Sequence, residues 1–415
     1  MSEAKTGRYA PRIIDGRLAE LIEGLPALML VGPRAAGKTT TAARHAQSVV
    51  RLDRADEAAV FLADPDAALA SLPEPVLLDE WQEVPGVLGA VKRSVDSGQG
   101  AGRFLLTGSV RALFEHGTWP GTGRVVEVKM FGMSVRERTG NATGTSFLDR
   151  LATRNELHPA TDSPDIRGYV DLALQSGFPE PALTLTPKLR EAWLRGYVEQ
   201  VVGRDMPGLA GPSDPILLNR FLEAWALNSA GVVTDETLRA SAGINHRTAT
   251  RYEQLLANTF VVESLPAWSS NRLSRLTKAP KRYVVDPGLL GAILGVDAGG
   301  VLRDGDLLGR VLDTFVTAEL RAEVASSESR PRLHHLRQMQ GRHEVDLLVE
   351  FAGGNVAGIE IKATAAPNRR DARHLEWLQA ELGNRFIGGV VFHTGPRAFQ
   401  LTETIVAAPI STIWS

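Results

Sequence analysis

The sequence predicts an α/β protein whose first part is a parallel sheet covered by helices on both faces. Two observations lead there. Short apolar strands alternate with helical stretches from Ala27 to Val128. A glycine-rich turn joins the first of these strands to the first helix. A helical and winged-helix stretch follows, and a second α/β unit closes the chain.

Ala27–Val31 is an apolar run ended by Gly32-Pro33, as a buried strand requires. Lys38 to Gln47 reads as a helix. Val49–Leu52, Val76–Leu78, Arg103–Thr107 and Val125–Val128 are the next four strands. Gly140–Asp165 is rich in Thr, Asn, Asp and Pro and reads as a loop or seam. From Ile166 to Leu209 the chain reads as mostly helical, with apolar spacing through Leu189, Trp193, Tyr197 and Val201. Gly208–Pro215 is a second break. Strand-like runs return at Val345–Phe351 and Val356–Ile361. The expected segments are 1–140, 141–212, 213–287 and 288–415.

Composition narrows the function classes. The 415 residues carry a net charge of -2, so any basic surface is local. There is no cysteine, which excludes disulfides, thiolate metal sites and thiol nucleophiles. Met1–Arg12 lacks the apolar core of a signal peptide, and no apolar run is long enough to span a bilayer. A cytoplasmic protein without a membrane partner is expected.

Gly32-Pro33-Arg34-Ala35-Ala36-Gly37-Lys38-Thr39 fits G-x-x-x-x-G-K-[ST] at every fixed position, between a strand and a helix. Glycines let backbone N–H groups turn toward phosphates, and the helix N-terminus adds partial positive charge. Lys38 is placed to reach the β- and γ-phosphates, Thr39 to ligate Mg²⁺, and Thr40 to complete the cradle. Val76-Leu77-Leu78-Asp79-Glu80 supplies the other half. A strand ending in an acid puts Asp79 beside Mg²⁺ and leaves Glu80 to activate water as a general base. A switch-type GTPase would usually rely on a Gln elsewhere, so ATP is the expected nucleotide. Thr107 or Ser109, at the end of Arg103–Ser109, is placed to sense the γ-phosphate. Arg124 is the preferred arginine finger, with Arg93, Arg111 and Arg204 as alternatives.

Gly-Pro-Arg-x-x-Gly-Lys-Thr-Thr, Leu-Asp-Glu-Trp-Gln-x-x-Pro (Leu78–Pro85) and Leu-Leu-Thr-Gly-Ser (Leu105–Ser109) together resemble a prokaryotic family of AAA+-like ATPases. Gly177–Glu180, Trp193–Asp205 and Lys281–Leu289 extend the resemblance over nearly the whole chain. It implies an additional-strand P-loop core with Lys38, Thr39, Asp79 and Glu80 in their usual roles and Thr107 at the sensor position. It also implies a C-terminal domain of unknown function, likened to a restriction-endonuclease-like fold. Gly132-Met133-Ser134 departs from the family's Pro-Leu-Ser.

Thr234–Leu265 reads as a helix-turn-helix. Asp235–Ala242 is the first helix, Gly243 the turn, and Asn245 the cap of a second helix. His246, Arg247 and Arg251 lie near the start of that second helix, where a recognition helix meets DNA. Phe260–Leu265 and Arg282–Val285 are the expected wing strands. Eight Lys or Arg against Glu253 and Glu263 between Arg239 and Val285 give the local excess that a phosphate-binding face needs.

Near the C-terminus, Glu344-Val345-Asp346 precedes Ile359-Glu360-Ile361-Lys362, with Glu319 upstream. Glu319, Asp346, Glu360 and Lys362 form a candidate second metal site of the Glu…Asp…Glu-x-Lys type. The expected function is a Mg²⁺-dependent ATPase coupling nucleotide state to domain rearrangement, with DNA as a candidate partner. The alternatives are a nucleotide-switched DNA-binding regulator with slow hydrolysis and an ATP-regulated, Mg²⁺-dependent nuclease. A trans-acting arginine would add a homo-oligomer or an unidentified protein partner.

Overall fold

The computed structural model describes residues 9–109, 122–154, 157–206, 214–275, 278–338 and 342–415. Arg111 lies outside them.

The first sheet has five parallel strands: β1 (Ala27–Val31), β2 (Ser48–Arg51), β3 (Val76–Asp79), β4 (Phe104–Gly108) and β5 (Val125–Lys129). Their order is β2-β3-β4-β1-β5, so β4 stands between the strand feeding the glycine-rich turn and the strand ending in Asp79. Every residue of β1, β3 and β4 is buried, as expected for strands covered on both faces.

The expected helix from Lys38 to Gln47 is shorter. It runs Lys38–Ala42 and tightens to a 3-10 turn over Ala43–His45. The Thr39-Thr40-Thr41 run favours helix weakly. The N–H groups of Gln47 and Ser48 already bond to the carbonyl of Pro75, next to the sheet. The expected loop Gly140–Asp165 contains a helix, Phe147–Ala152, capped by the Ser146 hydroxyl. Its Phe147, Leu148 and Leu151 are buried.

Helices Ile166–Leu174 and Pro187–Gln200 follow, and a π-turn extends the latter over Val201–Asp205. Helix Asp235–Ala242 ends at Gly243, which adopts φ 69. Asn245 then caps helix His246–Asn258 by accepting the Thr248 N–H at 2.9 Å. Strands β6 (Val262–Leu265) and β7 (Lys281–Val284) pair antiparallel behind these helices.

A mixed six-stranded sheet, ordered β12 (Phe399–Gln400), β13 (Ile405–Pro409), β11, β10, β9, β8, forms the C-terminal part. Its members include β8 (Arg332–Arg337), β9 (Glu344–Glu350), β10 (Val356–Ile361) and β11 (Phe386–His393). β9 runs antiparallel to β10, and β10 parallel to β11. The 20-residue helix Gly305–Val324 packs between this sheet and the rest. One continuous apolar core runs from Val135 through Leu194, Trp225 and Phe315 to Trp414, so it joins the segments after residue 140, and a second cluster around Leu348, Leu375 and Val391 packs on the C-terminal sheet.

Candidate functional site

The glycine-rich turn is held in shape by its neighbours. A Cβ on Gly32 would lie 1.9 Å from the Met130 carbonyl oxygen, so only glycine fits. Gly37 adopts φ 93 where the helix begins. Arg12 is buried beneath the turn. Its guanidinium donates to the Ala36 carbonyl at 2.8 Å, to the Phe131 carbonyl at 2.8 Å and to the Glu137 carboxylate at 2.9 Å. Glu137 in turn accepts the N–H groups of Ile13 and Ser134. Gly132 passes so close to Gly177 that a Cβ would meet its carbonyl carbon at 2.9 Å. That contact accounts for glycine at the departure from Pro-Leu-Ser.

Lys38 is buried. Its ammonium donates to the carbonyls of Gly32 and Pro33 at 2.9 and 2.8 Å. Burial pulls its pKa down to about 8, against the opposing pull of Glu80 and Asp79. Register pairs Asp79 with Thr107 at the carboxyl end of the sheet. The Thr39 hydroxyl donates to Asp79 Oδ1 at 2.6 Å, and the Thr107 hydroxyl donates to the same oxygen. Glu80 takes a left-handed conformation, φ 51, which is rare away from glycine and frequent at active sites. Its Oε2 accepts from the Gln82 amide and, at 3.1 Å, from the Ser109 hydroxyl. Ser109 also accepts from Arg34 Nε at 3.3 Å.

A cleft of about 590 Å³ opens beside this group, lined by Arg34, Asp53, Glu80, Glu83, Trp193 and Tyr197 among others. That size suits a small-molecule ligand. Trp193 and Tyr197 stack with ring centroids 5.4 Å apart, and Tyr197 donates to the Arg34 carbonyl at 3.4 Å. The helix Pro187–Gln200 thus forms the far wall. The hydroxyl of Thr39 and the carboxylate of Asp79 supply the hard oxygen ligands that Mg²⁺ takes, so the residues fit that ion.

Lys38, Thr39, Asp79, Glu80, Thr107 and Ser109 therefore converge. Pro33, Ala35 and Ala36 complete the turn, with Ala35 at φ 58, and Thr40 is exposed on the helix beyond it. Arg124 does not join them. It precedes β5 at the amino end of a parallel sheet, about 16 Å of strand from the phosphate end, and pairs with Asp96. Arg93 pairs with Asp66.

Asp346, Glu360 and Lys362 come together, but Glu319 does not. Glu319 faces the other way and accepts the Val135 N–H at 2.9 Å, near Arg138. It lies six residues after Asp313, the acid of the same helix that does face Asp346. Among the described residues no group of three or more His, Asp or Glu is arranged to hold a metal. His246 and Arg247 are exposed, and Arg251 is half-buried. The expected basic face is thinner than its count. Lys281 and Arg282 are buried, in ion pairs with Asp313 and Asp235, and Arg275 pairs with Glu350.

Arg12, Glu137 and Gln82 escaped the sequence reading. Ser134-x-x-Glu137 is a capping box and was the one available signal. Arg12 had none.

Three family models match the chain. Residues 25–139 match one described as an AAA domain. Residues 166–299 match Domain of unknown function (DUF8612), and 308–413 match Domain of unknown function (DUF4143). With the parallel sheet, the AAA match makes residues 25–139 a P-loop ATPase-type domain.

Uncharacterized proteins of Mycobacterium tuberculosis and Mycobacterium bovis are each 29% identical over 419 residues, covering 99% of this chain and 87% of theirs. Two solved structures show a looser likeness. The Walker-type ATPase of Pyrococcus abyssi has TM-score 0.43 and 14% identity, covering 71% of this chain and 99% of that one. The DNA clamp loader delta protein of Bacillus subtilis has TM-score 0.27 and 13% identity, covering 72% and 99%. Neither score is high enough to identify a fold. Among the described residues no helix is long and apolar enough to cross a membrane.

Proposed function

We propose that this protein is a Mg²⁺-dependent ATP hydrolase whose nucleotide state sets the position of its helical and C-terminal parts. The observation that carries the reading is the convergence of Thr39 and Thr107 on one oxygen of Asp79, with Glu80 next in sequence and Lys38 buried alongside. Backbone N–H groups of Gly32–Thr40 cradle the phosphates, and Lys38 balances their charge. Thr39 and Asp79 would hold Mg²⁺, which when bound would supply charge compensation for the phosphate oxygens. Glu80 orients and deprotonates the attacking water. Thr107, donating to Asp79, keeps that carboxylate aligned for the metal and stands at the sensor position.

The arginine that meets the transferring phosphoryl group is not Arg124 in cis, because Arg124 lies at the opposite end of the sheet. Arg34, on the turn itself and hydrogen-bonded to Ser109, is the nearer cation. ATP turnover of wild type and Glu80→Gln tests the reading. Glu80→Gln should bind ATP with little hydrolysis, and normal turnover removes Glu80 as the base.

A second reading has DNA as the partner that responds to nucleotide. It is favoured by exposed His246 and Arg247 on the first turn of a helix capped by Asn245. Arg247→Ala with Arg251→Ala should then weaken duplex binding and flatten its salt dependence. Equal binding by the double variant removes the DNA reading and leaves the ATPase reading standing.

A further inference from the structure

The motif Lys281-Arg282-Tyr283-Val284-Val285-Asp286 has no part in the nucleotide site. Its first residue enters the acidic cluster of the C-terminal sheet. Lys281 is 2% exposed. Its Nζ lies 2.5 Å from Asp313 Oδ2, 3.1 Å from the Asp346 carbonyl and 3.7 Å from Asp346 Oδ1.

The oxygens of the cluster are nearly all committed. Asp313 Oδ1 accepts from the Tyr283 hydroxyl at 2.9 Å and the Thr317 hydroxyl at 3.3 Å. Asp346 Oδ2 accepts the Ile361 N–H at 2.9 Å. Glu360 Oε2 accepts from Lys362 at 2.7 Å. Glu360 Oε1 alone is buried without a hydrogen-bond partner. A divalent cation such as Mg²⁺ takes about six oxygen ligands, several from carboxylates. This cluster offers Glu360 Oε1 and Asp346 Oδ1, the latter touched by Lys281 at 3.7 Å, and a buried ammonium already seated between two of its acids.

We infer that Lys281 stands in place of a divalent cation among Asp313, Asp346 and Glu360. The C-terminal sheet is thereby a metal-independent unit, and its acidic cluster clasps strand β7. Charge agrees with this arrangement. Burial opposes the Lys281 charge, yet Asp313 and Asp346 hold its pKa well above the ordinary range. The Lys281 and Lys362 ammonium groups already face the carboxyl groups of Asp313, Asp346 and Glu360, so fixed cations of the chain stand where a divalent ion would balance charge.

The clasp has a mechanical consequence. Lys281 belongs to the strand pair behind the helix-turn-helix, whereas Asp313 and Asp346 belong to the long helix and to β9. Holding them together makes the helix-turn-helix segment and the C-terminal sheet move as one body.

The test is Mn²⁺ binding to the nucleotide-free full chain, read as loss of the free-ion signal in electron paramagnetic resonance. Wild type, Asp346→Asn and Glu360→Gln should bind Mn²⁺ indistinguishably. Lys281→Met should gain one site per chain, lost again in Lys281→Met with Glu360→Gln. A wild-type site weakened tenfold or more by Asp346→Asn or Glu360→Gln overturns the inference. So does a folded Lys281→Met that gains no site. If Lys281→Met does not fold, the comparison of wild type with Asp346→Asn and Glu360→Gln decides alone.

Discussion

Arg12→Met is the most informative perturbation of the phosphate turn, because it removes a buried charge while keeping most of the side-chain stem. Arg12 and Glu137 are 5% and 3% exposed in their side chains, so water screens their contact little. Breaking a buried pair by deleting one partner costs about 3–5 kcal/mol. Glu137 would keep two backbone donors, from Ile13 at 2.8 Å and Ser134 at 2.7 Å, which places the loss near the lower end, about 3 kcal/mol. The carbonyls of Ala36 and Phe131 also lose their donor, so the turn loses support and nucleotide affinity falls with stability.

Calorimetry should show the transition of the N-terminal domain lowered by roughly 10 °C. A double-mutant cycle with Glu137→Gln should show coupling of about 1–3 kcal/mol. A loss below about 1 kcal/mol, or strict additivity, would refute the claim that this pair braces the turn.

Other expectations follow from the same geometry. Gly32→Ala forces a Cβ against the Met130 carbonyl and should abolish nucleotide binding while leaving the C-terminal sheet folded; unchanged affinity for a fluorescent ATP analogue contradicts it. Lys38 titrates near pH 8 when folded and near its ordinary value when unfolded, so the unfolded chain binds the extra proton between about pH 8 and 10.5. Its contribution to stability therefore rises with pH across that window, while affinity for ATP falls as the ammonium is lost; a flat affinity profile from pH 7 to 10 counts against the assignment.

Burial pushes Glu319 up to about 8, so its folded form keeps a proton that the unfolded form releases above about 4.5. Its contribution thus declines from pH 4.5 to 8, and Glu319→Gln should match wild type at pH 5 and exceed it at pH 8. Equal melting curves at both pH values would tell against a buried neutral carboxyl.

The centre of the sheet of the ATPase-type domain was legible because β1, β3 and β4 are short apolar runs ended by glycine or an acid. The meeting of Thr39, Asp79 and Thr107 was legible because the expected nucleotide site calls for particular residue types at fixed offsets from strand ends. Arg124 was misjudged because sequence proximity to a strand does not say which end of a parallel sheet faces the site. Glu319 was misjudged by less than two helical turns. Both Asp313 and Glu319 lie on one buried helix, and only tertiary packing decides which acid faces β9. The count of eight basic residues failed for a related reason. Lys281 and Arg282 are on a strand that proved to be interior, where cations are retained only by pairing.

The segment from Phe131 to Arg138 sits where the two halves of the molecule meet. On one side it touches the phosphate turn through Arg12, which bridges the Ala36 carbonyl and Glu137. On the other it meets the long helix: Val135 N–H donates to Glu319, and Arg136 lies 3.4 Å from Glu323. Glu323 also accepts the Leu148 N–H at 3.1 Å, tying the first helix after the ATPase-type domain to the same element. These contacts are buried and directional, so a shift of the turn must carry the segment with it or break hydrogen bonds whose loss costs about 1–3 kcal/mol each. The long helix is the element that the segment meets next. Because that helix also presents Asp313 to Lys281, the glycine-rich turn and the helix-turn-helix segment are joined through two charged contacts on one helix, Arg136–Glu323 and Lys281–Asp313.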